Sequence, residues 1–564
     1  MNSEIKQCQN CKKSFTIEPE DFVFYEKMKV PAPTWCPECR LQRRLSFLNF
    51  IYLYKRQCAL CKGDFIASYH PDSPAVVYCP KCWWSDNWDP REFGQDYDFS
   101  RPFFEQFREL YQRTPVIGIA IDLNAAINCP YNNYAGSLKN CYLLSQTDEM
   151  EDSAYGVYVF KSRDLYDTSV AMQDESCYDS MHIYKVQNGI GLRCQVYESF
   201  DCSFVRDSSF SSHCFASANL RGKQYHIFNK PYTKEAYFSE LKKWDLGSYK
   251  TYKEIQKKAE DHWKTLPKKT QYDELSVDST GVIVHQSKNC KNCIEVTRGE
   301  DSRYIMMTRD VKDSYDITMW GEIERCYEGS VGRNAANVRF GVICAEGAYD
   351  TEYSVLTHRG GTNNFGCVSM RYNNCILNKQ YTKEEFLALV PKIRKHMEEM
   401  PYTDMRGNIY KYGEYFPPEF SPYGYNESLA YNMFPLAQDE AVRNGLPWFE
   451  RPQTYHAIDR AADDLPDHIN DVADEILKEV IGCKKCGQGF RVIPQELSFL
   501  KKKNLPLPRE CPLCRIKEKL DIWMAELRTV KTHCTQCKKE IEISSSNADE
   551  KIILCKECYQ KITD

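Results

Sequence analysis

The residues that can do chemistry are cysteines, and their spacing narrows the chemistry to metal binding. Sixteen of the 28 cysteines form eight Cys-x2-Cys pairs confined to the two ends of a 564-residue chain. The N-terminal pairs are Cys8/Cys11, Cys36/Cys39, Cys58/Cys61 and Cys79/Cys82; the C-terminal ones are Cys483/Cys486, Cys511/Cys514, Cys534/Cys537 and Cys555/Cys558. Loops of 24 residues separate Cys11 from Cys36 and Cys486 from Cys511, and loops of 17 separate Cys61 from Cys79 and Cys537 from Cys555. A Cys-x2-Cys turn delivers two thiolates to one ion, and a second turn completes a tetrahedral four-sulfur site. Four structural zinc ions are therefore expected, with iron as the other metal that such turns hold. Sequential pairing within each ribbon is favoured over cross-bracing.

The ends are copies of one two-metal unit. Phe15, Pro19, Phe24, Pro31 and Pro33 reappear 475 positions later as Phe490, Pro494, Phe499, Pro506 and Pro508. The stretch Cys8-Gln-Asn-Cys11, Phe15, Glu20-Asp21, Phe24-Tyr25, Pro31, Cys36-Pro-Glu-Cys39-Arg40 and Arg43-Arg44 resembles the zinc-ribbon, treble-clef-like domains of uncharacterised bacterial proteins. Residues 483–519 look like a second copy, and the run from Cys58 through Trp83-Trp84-Ser85-Asp86-Asn87-Trp88 to Pro102-Phe103-Phe104 is similar to chains of that group. Some related chains carry an acyl-CoA transferase name. The resemblance implies a ribbon fold and no activity.

The body is also duplicated. Residues 139–190 and 288–339 align without gaps at an offset of 149, placing Lys139-Asn140-Cys141 on Lys288-Asn289-Cys290 and Tyr166-Asp167 on Tyr315-Asp316. The same offset puts Cys177-Tyr178 on Cys326-Tyr327 and Asn229-Lys230 on Asn378-Lys379. Tyrosines recur every 11 to 13 residues, at 142, 155, 166 and 178 and again at 304, 315 and 327, between short β-prone runs and Asp, Ser, Asn and Gly turns. Strands too short to bury a face alone predict a β-solenoid with internal Tyr or Cys ladders, against a duplicated sandwich as the rival. Cys290/Cys293 reads as a ladder position. The fold class expected is mixed and mainly β: a solenoid-like body with short helices between paired ribbons.

The domain order expected is ribbons at 1–50 and 51–92, helix and linker at 93–138, repeat copies at 139–265 and 266–400, irregular linker and helix at 401–482, and ribbons at 483–528 and 529–564. Thr233 and Thr382 open helices near 233–243, 251–264 and 382–399, and Ile469, Val472, Ile476, Leu477 and Val480 suggest another at 466–480.

Charge separates the ends from the body. Residues 1–92 carry +2 and residues 483–564 carry +6, leaving −13 between them within a total of −5. Arg40, Arg43, Arg44, Lys501, Lys502, Lys503, Arg515, Lys517 and Lys519 are candidate phosphate contacts, with Trp83, Trp84 and Trp88 as stacking platforms or, equally, as packing groups. Asp152, Asp164, Asp167 and their copies Asp301, Asp313 and Asp316 are the candidates for solenoid catalysis, and their turn settings favour a capping role. Phosphate-loop, dinucleotide, zinc-protease and nucleophile-elbow motifs are absent. Mean hydropathy of −0.59 and the lack of a long apolar run exclude an integral membrane protein. The opening residues lack a basic stretch followed by an apolar one, so the cytoplasm is the expected location. These features lead to a zinc-binding, non-catalytic binding or scaffold protein with protein partners, RNA or ribosome association through the ribbons being a further expectation. The alternatives are a scaffold working through its acidic body and, last, a carbohydrate-active enzyme or acyl-CoA transferase. No membrane or small-molecule partner is expected.

Overall fold

A computed structural model describes residues 2–269, 275–319, 321–345, 347–452, 457–545 and 550–563. The chain forms two compact units, one from Met1–Gly118 with Gln271–Glu450, the other from Ile119–Thr270 with Arg451–Asp564. The N-terminal ribbons thus share a unit with the second repeat copy, and the C-terminal ribbons share one with the first.

Each repeat copy is a parallel β-solenoid, and together they make about 20 turns. Strands pair with the coil that follows: Tyr142 with Ala154, Val159 with Ala171 and Ile183 with Val196 in one unit, and Gly281 with Cys293 and Ile294 with Met306 in the other. From Asn140 to Asn188 every third residue has a positive φ, including Leu143 (52°), Tyr155 (64°) and Val170 (52°). Four such corners in a 12-residue step make each coil four-sided. Left-handed conformations cost non-glycine residues roughly 1–2 kcal/mol each. Corner N–H groups offset that cost by bonding one coil back, as Asp152 does to the Lys139 carbonyl (2.9 Å) and Asp179 to that of Tyr166 (3.1 Å).

Inside the coils, hydroxyls stitch the stack. Ser153 Oγ donates to the Glu151 carbonyl (2.8 Å) and accepts the Leu165 N–H (3.0 Å); Ser302 does the same with Glu300 (2.8 Å) and Ser314 (3.2 Å). Cys141, Cys177, Cys202 and Cys214 fill the same interior in one solenoid, and Cys290, Cys293, Cys326 and Cys344 in the other. Cys290 and Cys293 are thus core ladder residues. The tyrosines correct the expectation of an internal ladder. Neighbours along a strand point to opposite faces, so with Cys177 and Cys326 inside, Tyr178 and Tyr327 stand outside, beneath a ribbon.

Asp174 occupies a serine position in this interior, accepting the Val186 N–H (2.8 Å) at 2% exposure. Burial holds its carboxyl well above the ordinary carboxylate range. The folded chain keeps that proton while the unfolded chain releases it above the ordinary Asp pKa, so stability falls as pH rises through this window. Asp174→Ser is expected to stabilise the protein at pH 7–9 and to be near neutral below pH 4, as thermal unfolding across pH would show.

The expected helices appear as Lys234–Leu241, Tyr249–Trp263 and Lys383–Glu399, the first and last capped by Thr233 and Thr382. Each of these two follows a reversed strand, Lys230–Pro231 or Lys379–Gln380, that pairs antiparallel with the last coil and closes the stack. The helix expected at 466–480 is replaced by two 3-10 turns, Ile469–Asp471 and Asp474–Lys478, separated by extended residues. Ile469, Val472 and Ile476 are all buried, and their spacing by three and four residues is met by 3-10 turns as well as by an α-helix.

Candidate metal centres

Four cysteine clusters form, and each is sequential: Cys8, Cys11, Cys36 and Cys39; Cys58, Cys61, Cys79 and Cys82; Cys483, Cys486, Cys511 and Cys514; and Cys534, Cys537, Cys555 and Cys558. All sulfurs of a cluster lie within 4.8 Å of one another. One sulfur–sulfur contact between the two pairs of each cluster measures 3.8 Å (Cys11–Cys36), 4.0 Å (Cys61–Cys79), 3.8 Å (Cys486–Cys511) and 3.6 Å (Cys537–Cys555). A tetrahedron with metal–sulfur bonds of about 2.3 Å has edges of about 3.8 Å. The four groups therefore fit a tetrahedral ion.

Local sequence dictates this geometry twice in each ribbon. The first pair tips a hairpin, Glu4–Gln7 with Ser14–Ile17 in ribbon 1 and Tyr54–Gln57 with Asp64–Ala67 in ribbon 2. Its turn closes through a left-handed residue, Lys12, Lys62, Gly487 or Lys538. All three of these lysines tie the ammonium back to the turn, Lys12 on the Gln9 carbonyl, Lys62 on that of Ala59 (2.9 Å) and Lys538 on that of Thr535 (3.0 Å). The second pair begins a helix: Cys36 caps Pro37–Leu45, Cys79 caps Pro80–Trp83 and Cys511 caps Pro512–Glu526. Proline at the first helical position loses no hydrogen bond, and the helix N-terminus favours a thiolate.

Backbone donors complete each site. The N–H of Cys36 reaches Cys8 Sγ (3.3 Å), and Cys79, Cys511 and Cys555 repeat the contact to Cys58, Cys483 and Cys534 (3.2, 3.2 and 3.4 Å). Hydrogen bonds from Cys36 and Cys39 hold the Cys8 thiol far below its usual range, while Cys39 is pushed up by Cys36 and Cys8. In the third cluster a hydrogen bond from Cys514 lowers Cys511 to about 5. One sulfur ionises readily and its neighbours then resist, a conflict that a central cation removes.

The basic residues of the ribbons divide into a buried set, Arg40, Arg43, Arg44, Arg515 and Lys519, and a more exposed set that includes Lys501, Lys502 and Lys517. Arg40, Arg43 and Arg44 are buried to 0–1% exposure against the second solenoid copy. Arg40 and Arg44 share Asp316 (2.9 and 3.0 Å), while Arg43 joins Glu328 and Glu414 (3.0 Å to the latter). Burial alone would depress the Arg40 guanidinium; the Asp316 carboxylate together with Tyr25 and Tyr327 outweighs it and holds the group well above its ordinary range. In the other unit Arg515 meets Asp167 and Glu496 (2.9 Å to Glu496), and Lys519 meets Asp179. Lys501 pairs with Asp474 (2.7 Å), Lys502 with Asp164 (3.6 Å) and Lys517 with Asp521 (2.5 Å), and Lys503 donates to Asn188 Oδ1 (2.7 Å). Trp83 and Trp88 are buried and Trp84 is half-buried, with Trp83 and Trp84 rings 4.5 and 5.0 Å from His358, so they pack the second ribbon onto the solenoid.

The carboxylates considered for catalysis all have structural partners. Asp152 and Asp301 accept from Asn140 (2.9 Å) and Asn289 (2.8 Å) one coil back. Asp164 and Asp313 take Lys502 and Lys27, and Asp167 and Asp316 take the buried ribbon arginines. Sequence reasoning missed the partners Glu328 and Glu414, because nothing in the chain order ties them to a ribbon, and Glu496, which lies within ribbon 3 on the helix Pro494–Lys503. Among the described residues no helix is long and apolar enough to cross a membrane. No model of a known protein family matches the chain, and no curated protein matches it significantly.

Proposed function

We propose that this protein is a non-catalytic scaffold in which four structural zinc ions fix ribbons against two β-solenoids, leaving the remaining solenoid faces to bind partner proteins. The observation that carries this reading is the use of Arg40, Arg43, Arg44, Arg515 and Lys519 as buried docking groups. Side chains committed to internal carboxylates do not neutralise phosphates. Repeated coils supply an extended surface of stacked side chains, the form of surface that repeat proteins use for partners. Lys139 with Glu151, Arg163 with Glu175, and Lys185 with Glu198 form exposed charge pairs between successive coils. Zinc suits the sites because they are closed four-thiolate tetrahedra with no open position.

Metal analysis of the purified chain is expected to find four zinc ions; two or fewer metals overturns the reading, and a coloured iron–thiolate spectrum replaces zinc with iron. In-cell crosslinking and capture, with half the sample treated with nuclease, is expected to return the same protein partners from both halves. Recovered RNA or DNA, with partners lost on nuclease treatment, would instead make the +6 C-terminal ribbons a nucleic-acid grip.

A further inference from the structure

The two ribbon-docking faces share a set of matched contacts. With ribbon positions offset by 475 and solenoid positions by 149, the Arg40–Asp316 pair recurs as Arg515–Asp167. Phe24 stacks on Tyr315 at 3.8 Å, and Phe499 stacks on Tyr166 at 4.3 Å. Arg40 lies over Tyr304 (5.3 Å) as Arg515 lies over Tyr155 (4.5 Å). The more exposed pair Lys27–Asp313 recurs as Lys502–Asp164. Yet the assignment is crosswise, with ribbon 1 on the second copy and ribbon 3 on the first. Two surfaces this similar need a feature that tells them apart.

Of the three buried cation positions on the ribbon helix, charge reverses at one. Arg43 is buried between Glu328 and Glu414, and the residue 475 positions later is Glu518. Glu414 lies beyond the duplicated repeat, so this second acid is specific to the second face. A glutamate in the place of Arg43 would set three carboxylates together out of water. On the other face Asp179 stands at the Glu328 position and is already satisfied by Lys519, by Arg193 (3.0 Å) and by the Tyr252 hydroxyl (2.9 Å). That face does not require a cation from position 518, and Glu518 lies half-exposed there.

We propose that Arg43 and Glu518 are the specificity lock of ribbon assignment: Arg43 admits ribbon 1 to the second solenoid copy, and Glu518 excludes ribbon 3 from it by like-charge repulsion. The interaction surface around Asp316, Glu328 and Glu414 is thus selective for a ribbon helix with three buried cations. This is independent of what the free solenoid faces bind.

Zero-length carbodiimide crosslinking of the full chain, unfolded with chelator and refolded by adding zinc, reads the assignment by mass spectrometry. The Lys27–Asp313 and Lys502–Asp164 links report the observed docking, and a Lys502–Asp313 link reports ribbon 3 on the wrong face, within one chain or between two copies. The unsubstituted chain is expected to give the observed links at least tenfold over the wrong one. Glu518→Arg is expected to raise the wrong link at least tenfold; no rise overturns the proposal. Arg43→Glu is expected to lose the Lys27–Asp313 link at least tenfold with Lys502–Asp164 unchanged. Adding Glu328→Arg and Glu414→Gln restores it by reversing the polarity, a rescue that a packing role would not produce, and failure of that rescue also overturns the proposal. Should Arg43→Glu fail to fold, the half-exposed Glu518→Arg substitution still decides the question.

Discussion

Cys36→Ser is expected to cost the N-terminal ribbon on the order of 10 kcal/mol of metal-linked folding energy, the scale measured for structural zinc in small peptides. Apart from its docking contacts on the solenoid, the ribbon has little of its own to hold it. Its hairpin is four residues on each side, and of its two helices, Pro19–Met28 and Pro37–Leu45, the second begins on the ligand itself. An isolated two-stranded hairpin is marginal in water. Loss of the ion should therefore release residues 4–45 together and expose Tyr315 and Tyr327 on the solenoid. The measurement is metal stoichiometry, expected to fall from four to three, combined with amide exchange. Protection should be lost in 4–45 and weakened around 303–331, while the unit containing 119–269 stays protected. Cys511→Ser is expected to reproduce the result in that other unit.

The second large effect belongs to Asp316. It receives both Arg40 and Arg44 at 0% exposure, so Asp316→Ala strands two guanidiniums out of water. Breaking a buried pair from one side typically costs about 3–5 kcal/mol, because the remaining charge keeps its desolvation penalty. Asp313→Ala removes the partner of Lys27, an amine with 51% of its side chain exposed, and is expected to cost less than about 1 kcal/mol. Denaturant unfolding of the two variants should separate them clearly. Equal effects would mean that the Asp316 cluster is wetter than its packing indicates.

Much of the fold was legible because its signals are local. A Cys-x2-Cys turn is four residues long, and the Tyr and Cys beat repeats within a dozen. The square section of the coil was not legible, because its corners include Leu143, Val170 and Ile283, residues whose types give no hint of a positive φ. The helix written into 466–480 failed because apolar spacings of three and four residues serve a 3-10 turn and an α-helix alike. The placement of the arginines beside the knuckles was not legible either. Guanidinium charge suggests solvent or phosphate, and the carboxylates that claim these groups lie 272 residues away for Arg44 with Asp316 and 348 for Arg515 with Asp167. Separation on that scale leaves no trace in a window of sequence. The duplication offsets of 475 and 149 did hold the answer, since matched basic positions in the ribbons accompany matched acidic positions in the repeats.

The crosswise pairing of ribbons and solenoids also sets a timetable for synthesis. Each coil bonds to the next one about 12 residues on, so a solenoid can form as it leaves the ribosome. Its ribbon cannot follow at once. The first copy ends near residue 230, whereas Lys519, which closes on its Asp179, emerges almost 300 residues later. At about 5–20 residues per second the nascent chain spends roughly 15–60 s with Tyr166, Tyr178 and an acidic pocket uncovered. The N-terminal ribbon, made first, waits in turn for the second copy. A metal ion taken up at residues 8–39 would bind before docking by the time needed to translate the whole first solenoid, which would set metal supply and chaperone protection at different moments of assembly.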